Sequence, residues 1–299
     1  MPDILYPPSR PQSVGEVLDS TFRIFGATLL KCLPYTIVGV ILGQLPTLYS
    51  AATGHPWLQA ALRGQRAGPV WWLLELVAVF GVLALTNAVL LRQYAIVRGQ
   101  PVATGSELAT GAARVPGMLL IALLMGLAIV ATMIPVTALL WTLRGFVAGG
   151  LKGGSTAYGI FGAVIVMYGL VLVCASWVVA RWICSGALYL LTDRGAVESM
   201  RYSWQLTSGN FGRLTLIYGV GLALIIVFYV LAGVIGAVVA SLLVRGDLAV
   251  VTAVTAAVAA LLGAVITPLY SALVLAVLGD LTVRKEGTDL AQRISAPAT

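Results

Sequence analysis

Six long apolar runs constrain the fold of this chain more than any other feature. A helix needs about 20 apolar residues to cross a bilayer, and each run is long enough. Only 10% of the chain is charged, whereas soluble domains carry roughly 25% charged residues. The sequence therefore predicts an all-α, polytopic membrane protein with six transmembrane helices. The predicted spans lie at about 27–50, 70–91, 117–141, 157–180, 213–244 and 248–279.

The basic residues are distributed unequally between the two ends of these spans. Five of the 18 lie in the loops at 51–69, 142–156 and 245–247, and the other thirteen lie on the opposite side. Because cytoplasmic loops are enriched in Lys and Arg, this asymmetry predicts that both termini are cytoplasmic. Topology thus explains the net charge of +7, and we expect no nucleic-acid partner.

An acidic motif recurs before three of the spans. Glu16, Glu107 and Glu198 are spaced 91 residues apart, and each lies at the start of a segment with alternating polar and apolar faces. This pattern predicts three short amphipathic helices on the cytoplasmic side. They either lie in the membrane interface or connect the spans and pack on a protein core. Ser13, Thr104 and Gly195, each three residues before its acid, are predicted helix N-caps. Ser13 and Thr104 also predict capping boxes.

The spacing predicts that the chain is one membrane domain, 1–299, built from three helical hairpins that each follow an interfacial helix. The tails at 1–12 and 288–299 are expected to be flexible and cytoplasmic. Duplicated hairpins of this length are typical of repeats arranged about an axis along the membrane normal. The predicted repeat units span roughly 13–99, 104–195 and 195–287.

Glycines are predicted to have two roles in this arrangement. Gly39 and Gly43 are spaced as GxxxG, which favours close approach of two helices in lipid. Gly99, Gly195 and Gly287 each follow basic residues at the end of a returning helix. At such positions we expect left-handed helix caps.

Three runs of sequence resemble a known family. They are VGEVLDSTFRIF at 14–25, AVESMRYSWQLTSGNFGR at 196–213 and LGDLTVRKEGTDL at 278–290. They are similar to segments of the bacterial glycerophosphoryl diester phosphodiesterase membrane-domain family. The resemblance implies a six-helix integral protein of the bacterial inner (cytoplasmic) membrane. Gly279 and Thr282 replace an aromatic residue and an arginine that the family usually has, so those side chains are not expected to do chemistry here.

The family name refers to a soluble phosphodiesterase domain that is fused to some members. Such a domain needs a metal-binding cluster of acids and histidines, whereas His55 is the only histidine here. No Cys/His cluster or set of nucleophile and base is evident in the sequence. We therefore expect a chain without the phosphodiesterase catalytic domain, without enzymatic activity, and with no cofactor or metal.

Two groups of residues are candidates for contact with lipid. Basic residues at the cytoplasmic face can bind phospholipid head groups, although the alternative is that they only set the topology. These are Arg23, Lys31, Arg114, Arg201 and Arg213. Phe22 and Trp204 are predicted interfacial anchors.

Glu75 and Asn87 are candidates for a polar site inside the membrane. Both lie in the second span, where an acid is costly unless it is paired or hydrated. Alternatively, Glu75 reaches the outer interface, and Asn87 makes a structural hydrogen bond between helices.

These features lead to two hypotheses for function. The first is binding or transport of a lipid or other amphiphile, with anionic phospholipids as partners. A cavity lined by Glu75 and Asn87 would favour it. The second is a membrane scaffold or accessory subunit that interacts with another membrane protein.

Overall fold

The computed structural model describes residues 6–53, 68–150, 155–243 and 248–287. Every regular element in these four ranges is an α-helix, so the predicted all-α class is confirmed for them. The helices are α1 (Val14–Ala52), α2 (Pro69–Val97), α3 (Thr104–Ala113), α4 (Val115–Gly150), α5 (Ser155–Trp182), α6 (Ser185–Leu191), α7 (Ala196–Thr207), α8 (Phe211–Leu243) and α9 (Leu248–Glu286).

Within the described ranges, six stretches of helix are long and apolar enough to cross a membrane, which is the predicted number. They are Val14–Ser50, Pro69–Val97, Val115–Pro135, Gly169–Leu191, Phe211–Val239 and Ala260–Glu286. Many large apolar side chains on them are exposed, for example Leu30 (79%) and Leu123 (59%). Such a surface is unfavourable in water and suits contact with lipid chains.

The prediction of a separate short helix before the first span is wrong, because α1 is one continuous helix from Val14 to Ala52. No helix-terminating glycine follows the acidic motif in this copy, and Pro34 and Pro46 are accommodated inside the helix. In the other two copies α3 and α7 are separate helices. Pro116 follows the end of α3, and Gly209, with φ of +82°, follows α7.

The predicted caps are present at some positions and absent at others. The Ser13–Glu16 capping box is confirmed: Ser13 N–H donates to Glu16 Oε2 (2.6 Å), and Glu16 N–H donates to Ser13 Oγ (3.3 Å). Gly99 and Gly287 are left-handed, with φ of +65° and +60°. Gly195 is not left-handed, since it has φ of −68°, but its predicted role as the N-cap residue of α7 is confirmed.

The described residues form two compact units. The first comprises Met1–Pro116, Leu190–Asp193 and Leu216–Thr299. In this unit α1 packs against α2 and α9, and α2 also contacts α3 and α9. A cluster of buried residues lies where α1 meets α2, and it consists of Cys32, Tyr35, Ala88 and Val89.

Gly39 and Gly43 lie on the face of α1 that packs against α2. A Cβ atom at Gly39 would lie 3.7 Å from Leu85 Cδ1, and one at Gly43 would lie 3.5 Å from Val82 Cγ2. Both distances are ordinary van der Waals contacts, so a methyl group would fit at either position and the packing of α1 on α2 does not require glycine there.

The segment before α1 also belongs to the first unit, and it contacts the end of α9. Gln12 N–H donates to Asp280 Oδ1 (2.7 Å), and Arg284 binds both that carboxylate (3.1 Å) and the Gln12 carbonyl. A Cβ atom at Gly279 would lie 2.9 Å from the Tyr6 ring, so a glycine is needed there for this contact. The sequence assigned this segment to a flexible tail, but it makes specific contacts.

The second unit comprises Gly117–Tyr189 and Arg194–Thr215. Here α5 packs against α7. The start of α4 approaches α6 closely, because a Cβ atom at Gly117 would lie 2.1 Å from the Tyr189 hydroxyl oxygen. The glycine is therefore required for this contact between two helices.

Candidate functional site: a buried ion pair beside a cavity

A buried ion pair joins two helices of the first unit. Arg92 of α2 donates from Nε to Glu107 Oε2 of α3 at 2.9 Å, and the two side chains are only 11% and 8% exposed. The same carboxylate oxygen accepts a hydrogen bond from the Tyr35 hydroxyl at 2.9 Å. The Arg92 guanidinium lies over the Tyr35 ring, 4.4 Å from its centroid. The Arg92 charge is thus balanced by a carboxylate and an aromatic face.

Two further donors of Arg92 are also used. Nη2 donates to Thr104 Oγ1 (2.7 Å), and Nη1 donates to the Lys31 carbonyl (3.0 Å). The guanidinium therefore ties together α1, α2 and α3. The predicted Thr104–Glu107 capping box is wrong: the N-cap residue of α3 is Ala103, without a side-chain cap. The Thr104 and Glu107 oxygens accept from Arg92 instead of from the backbone N–H groups of α3. An unpaired buried charge costs more free energy than an exposed backbone N–H group without a cap.

Two amides extend this polar region. Asn87 is buried and donates from Nδ2 to the Gly111 carbonyl at 3.0 Å, which links α2 to α3. Gln93 is also buried, and its Nε2 donates to Thr28 Oγ1 (3.0 Å) and to the Pro268 carbonyl (2.9 Å). Asn87 therefore has the structural role between helices that was one of its two expected roles.

Three buried acceptors in this region have no hydrogen-bond partner among the described residues. They are Asn87 Oδ1, Gln93 Oε1 and Glu107 Oε1. A buried acceptor without a donor costs about 1–3 kcal/mol, so each is a place where a water molecule or a polar group of a ligand would be stabilising.

A partly open cavity of about 450 Å³ lies in the same unit, among α1, α2, α8 and α9. Its wall is formed mainly by apolar residues and glycines, and none of the described lining residues carries a charge. The polar groups in the wall are hydroxyls and one amide, from Tyr35, Thr36, Gln44, Thr86, Tyr229 and Thr267.

Tyr35 connects the cavity to the ion pair. Its side chain lines the cavity, while its hydroxyl donates to Glu107. Any group that displaced the Tyr35 ring would also weaken the hydrogen bond to Glu107 and the contact with Arg92. Hydrogen bonds in such a chain depend on one another in a low-dielectric interior.

Glu75 and Asn87 do not line this cavity. Asn87 is buried between α2 and α3, and Glu75 is half-buried elsewhere on α2. Sequence reasoning also missed Arg92 and Tyr35. Arg92 lies one residue beyond the predicted span of 70–91, where it contributes only to the topology, whereas the structure places it inside the span Pro69–Val97, where an arginine needs a partner.

The candidate lipid-binding cations differ in exposure. Arg23 and Lys31 on α1 and Arg201 on α7 are exposed, whereas Arg114 and Arg213 are half-buried. Head-group binding at Arg23, Lys31 and Arg201 therefore stays a prediction that is compatible with their exposure.

The two predicted interfacial anchors also differ. Phe22 is 47% exposed, as an anchor in lipid would be. Trp204 is half-buried, and its ring lies 5.2 Å from that of Trp177 and 5.8 Å from that of Trp182. Trp204 is therefore part of an aromatic cluster inside the second unit.

In the part of the chain that the structure describes, no group of three or more His, Cys, Asp or Glu side chains is placed to hold a metal ion. Cys32, Cys174 and Cys184 are free thiols. His55 lies outside the described residues.

Six apolar helices and their lipid-compatible surface define a multi-pass integral membrane protein. Residues 160–293 match the model of the membrane domain of glycerophosphoryl diester phosphodiesterase. The predicted family resemblance is thus confirmed for this part of the chain, which includes the runs at 196–213 and 278–290. Neither a curated protein nor a solved structure matches the chain.

Proposed function

We propose that this protein binds a lipid or another amphiphile in the cavity among α1, α2, α8 and α9, without enzymatic activity of its own. The cavity is the observation that carries the proposal. Its volume of about 450 Å³ lies within the range of roughly 300–1,000 Å³ that is typical of small-molecule sites. Such sites combine apolar walls with a few polar groups, as this one does.

The chemistry of the wall indicates which part of the ligand enters. Because the lining residues are uncharged, they suit an acyl chain or a neutral polar group better than a charged head group. The hydroxyls of Thr36 and Thr86 and the amide of Gln44 can orient an ester or a hydroxyl of the ligand. A ligand that pressed on Tyr35 would alter the Glu107–Arg92 pair, which gives binding a route to change how α3 packs.

The proposal includes a location in the bacterial inner membrane with both termini cytoplasmic. The unequal distribution of basic residues supports this orientation. Exposed Arg23 and Lys31 on α1 would then lie at the inner leaflet, where anionic phospholipids attract cations by about 1 kcal/mol per residue. Transport across the membrane and a scaffolding role with another membrane protein are alternative outcomes of the experiments below.

The proposal is tested by a substitution that fills the cavity with a larger side chain. Ala260 lines the cavity, and its neighbour Leu261 is 63% exposed on the same helix. Ala260→Phe should remove most of the lipid that co-purifies with the protein in mild detergent, whereas Leu261→Phe should retain it. Bound lipid is measured by native mass spectrometry and by lipid extraction, and thermal unfolding shows that both variants are folded.

Three outcomes discriminate the hypotheses. Equal lipid content in the two variants and the wild type would overturn the proposal. Loss of lipid with Ala260→Phe, together with lipid transfer between the leaflets of proteoliposomes by the wild type alone, would extend the proposal to transport. If neither variant affects lipid but crosslinking in native membranes recovers a defined partner, the scaffold hypothesis replaces it.

A further inference from the structure

The second unit contains an arginine held between tryptophans. Arg181 is in the last turn of α5, and its guanidinium carbon lies 5.7 Å from the centroid of Trp177 and 5.0 Å from that of Trp204 on α7. The two indole rings meet edge to face, with centroids 5.2 Å apart. An arginine against two aromatic faces is a recurrent arrangement for a partly desolvated cation.

This guanidinium lacks an anionic partner within the described ranges. Its Nε and Nη1 atoms are buried and have no hydrogen-bond acceptor there. The acid Glu198 of α7 lies near a different base, Arg194, at 4.0 Å. Arg181 also lies within the candidate span Gly169–Leu191, where an unpaired charge is costly and marks a functional site by default.

Hydrogen bonds from α7 to the Arg181 carbonyl fix the position of this residue. The Ser203 hydroxyl donates to the Arg181 carbonyl at 2.9 Å, and the Thr207 hydroxyl lies 3.2 Å from the same oxygen. Both residues are buried on the face of α7 that packs against α5. Because α7 is held in this way, the cation and the Trp204 ring keep a defined geometry before any ligand arrives.

We propose that Arg181, flanked by Trp177 and Trp204, binds the phosphate group of an anionic ligand. A phosphate oxygen is the acceptor that the fork of donors on a guanidinium fits best, and it would balance the desolvated charge. The indole rings would contact the glycerol or chain atoms next to the phosphate. This site is built from residues of the second unit, whereas the cavity is built from residues of the first, so the two proposals stand on different observations.

The experiment measures the binding of three probes to the full-length protein in detergent by native mass spectrometry. Phosphatidylglycerol presents phosphate and chains, diacylglycerol presents chains only, and inorganic phosphate presents phosphate only. Arg181→Gln should weaken phosphatidylglycerol binding by about 10-fold to 100-fold, the value of one or two charge-assisted hydrogen bonds. Arg194→Gln removes a charge of the same unit that already lies 4.0 Å from Glu198, and it should cost less than about fivefold.

Each outcome either supports or overturns the proposal that Arg181 binds a phosphate group. Phosphatidylglycerol binding that falls with Arg181→Gln but not with Arg194→Gln, with diacylglycerol unaffected, supports a lipid phosphate as ligand. Competition by inorganic phosphate at similar concentrations supports a soluble phosphate as the source. Equal losses in the two variants, or equal losses for diacylglycerol, would overturn the proposal.

A second variant keeps the test decisive if Arg181→Gln does not fold. Trp177 is 38% exposed, so Trp177→Leu opens one side of the site and keeps the charge. It should reduce the preference for phosphatidylglycerol over diacylglycerol several-fold, and an unchanged preference would count against the site.

Discussion

At the scale of single residues, Glu107 shows how one carboxylate can have a role that its local sequence does not suggest. It lies in a motif that resembles a capping box, yet it binds Arg92 at 2.9 Å and Tyr35 at 2.9 Å. The desolvation of both charges is costly, and only the close pairing and the added hydrogen bonds offset it. The pair therefore stabilises the fold as long as both members are present.

Glu107→Gln should lower the free energy of unfolding by about 3–5 kcal/mol, because it leaves the buried Arg92 charge without a counterion. Replacement of both residues, Arg92→Met with Glu107→Leu, should restore much of this loss. The measurement is unfolding by SDS titration in mixed micelles, followed by tryptophan fluorescence. Glu198→Gln removes an exposed charge and should change the result by less than about 1 kcal/mol. A Glu107→Gln protein as stable as the Glu198→Gln control would show that the pair is not a stabilising one.

At the scale of elements, α3 shows how a short helix is held against a spanning helix. Gly111 lies so close to α2 that a Cβ atom there would be 2.7 Å from the Ala84 carbonyl oxygen and 3.2 Å from the Ala88 amide nitrogen. These are backbone atoms, which cannot rotate away as a side chain can. Asn87 then bonds the Gly111 carbonyl, so the contact is both close and polar. In the first unit α3 is thus a packed helix, the second of the two arrangements that the sequence left open for it.

Gly111→Ala should destabilise the protein by about 1–3 kcal/mol, because the added methyl group forces α3 away from α2. The matched control is Gly105→Ala in the same helix, where a Cβ atom meets nothing within 4 Å. That change should be neutral or stabilise by up to about 1 kcal/mol, since alanine favours helix. Thermal unfolding of the two variants in one detergent measures whether each change lowers or raises the stability. Equal destabilisation by the two changes would rule out close packing as the reason for Gly111.

At the scale of the whole molecule, the chain is divided by its spans into two sets of loops with unequal positive charge. The six candidate spans of the described residues separate these two sets. The positive-inside rule predicts that the more basic set is cytoplasmic.

Single cysteines introduced at the ends of two helices would test that orientation. Ala52, at the end of α1, is expected outside, and Ala113, at the end of α3, is expected in the cytoplasm; both are exposed. A membrane-impermeant maleimide should label Ala52→Cys in intact spheroplasts and Ala113→Cys only after lysis. The wild type is the background control for the three native cysteines: Cys32 and Cys184 are buried, and Cys174 is half-buried within the candidate span Gly169–Leu191. The reverse labelling pattern would mean that the termini lie outside.

The sequence by itself was enough for the helical class and the number of spans. Both depend on hydropathy, which sums over about 20 consecutive residues and needs no knowledge of neighbours. The Ser13–Glu16 cap and the left-handed Gly99 and Gly287 were also predictable, because each depends on a few adjacent residues. Continuation of α1 past its amphipathic segment was not, since whether a helix ends there depends on what it packs against.

Only the tertiary structure decided which polar residues meet. Tyr35 and Glu107 are 72 residues apart in the chain, and Gln93 and Pro268 are 175 apart. The cavity is assembled from four helices, so no single stretch of sequence contains it. Local sequence patterns determine which segments become helices, because the hydropathy and the capping of a helix depend on residues that are adjacent in the chain. Sites formed between helices depend on packing across long separations, which local patterns do not encode.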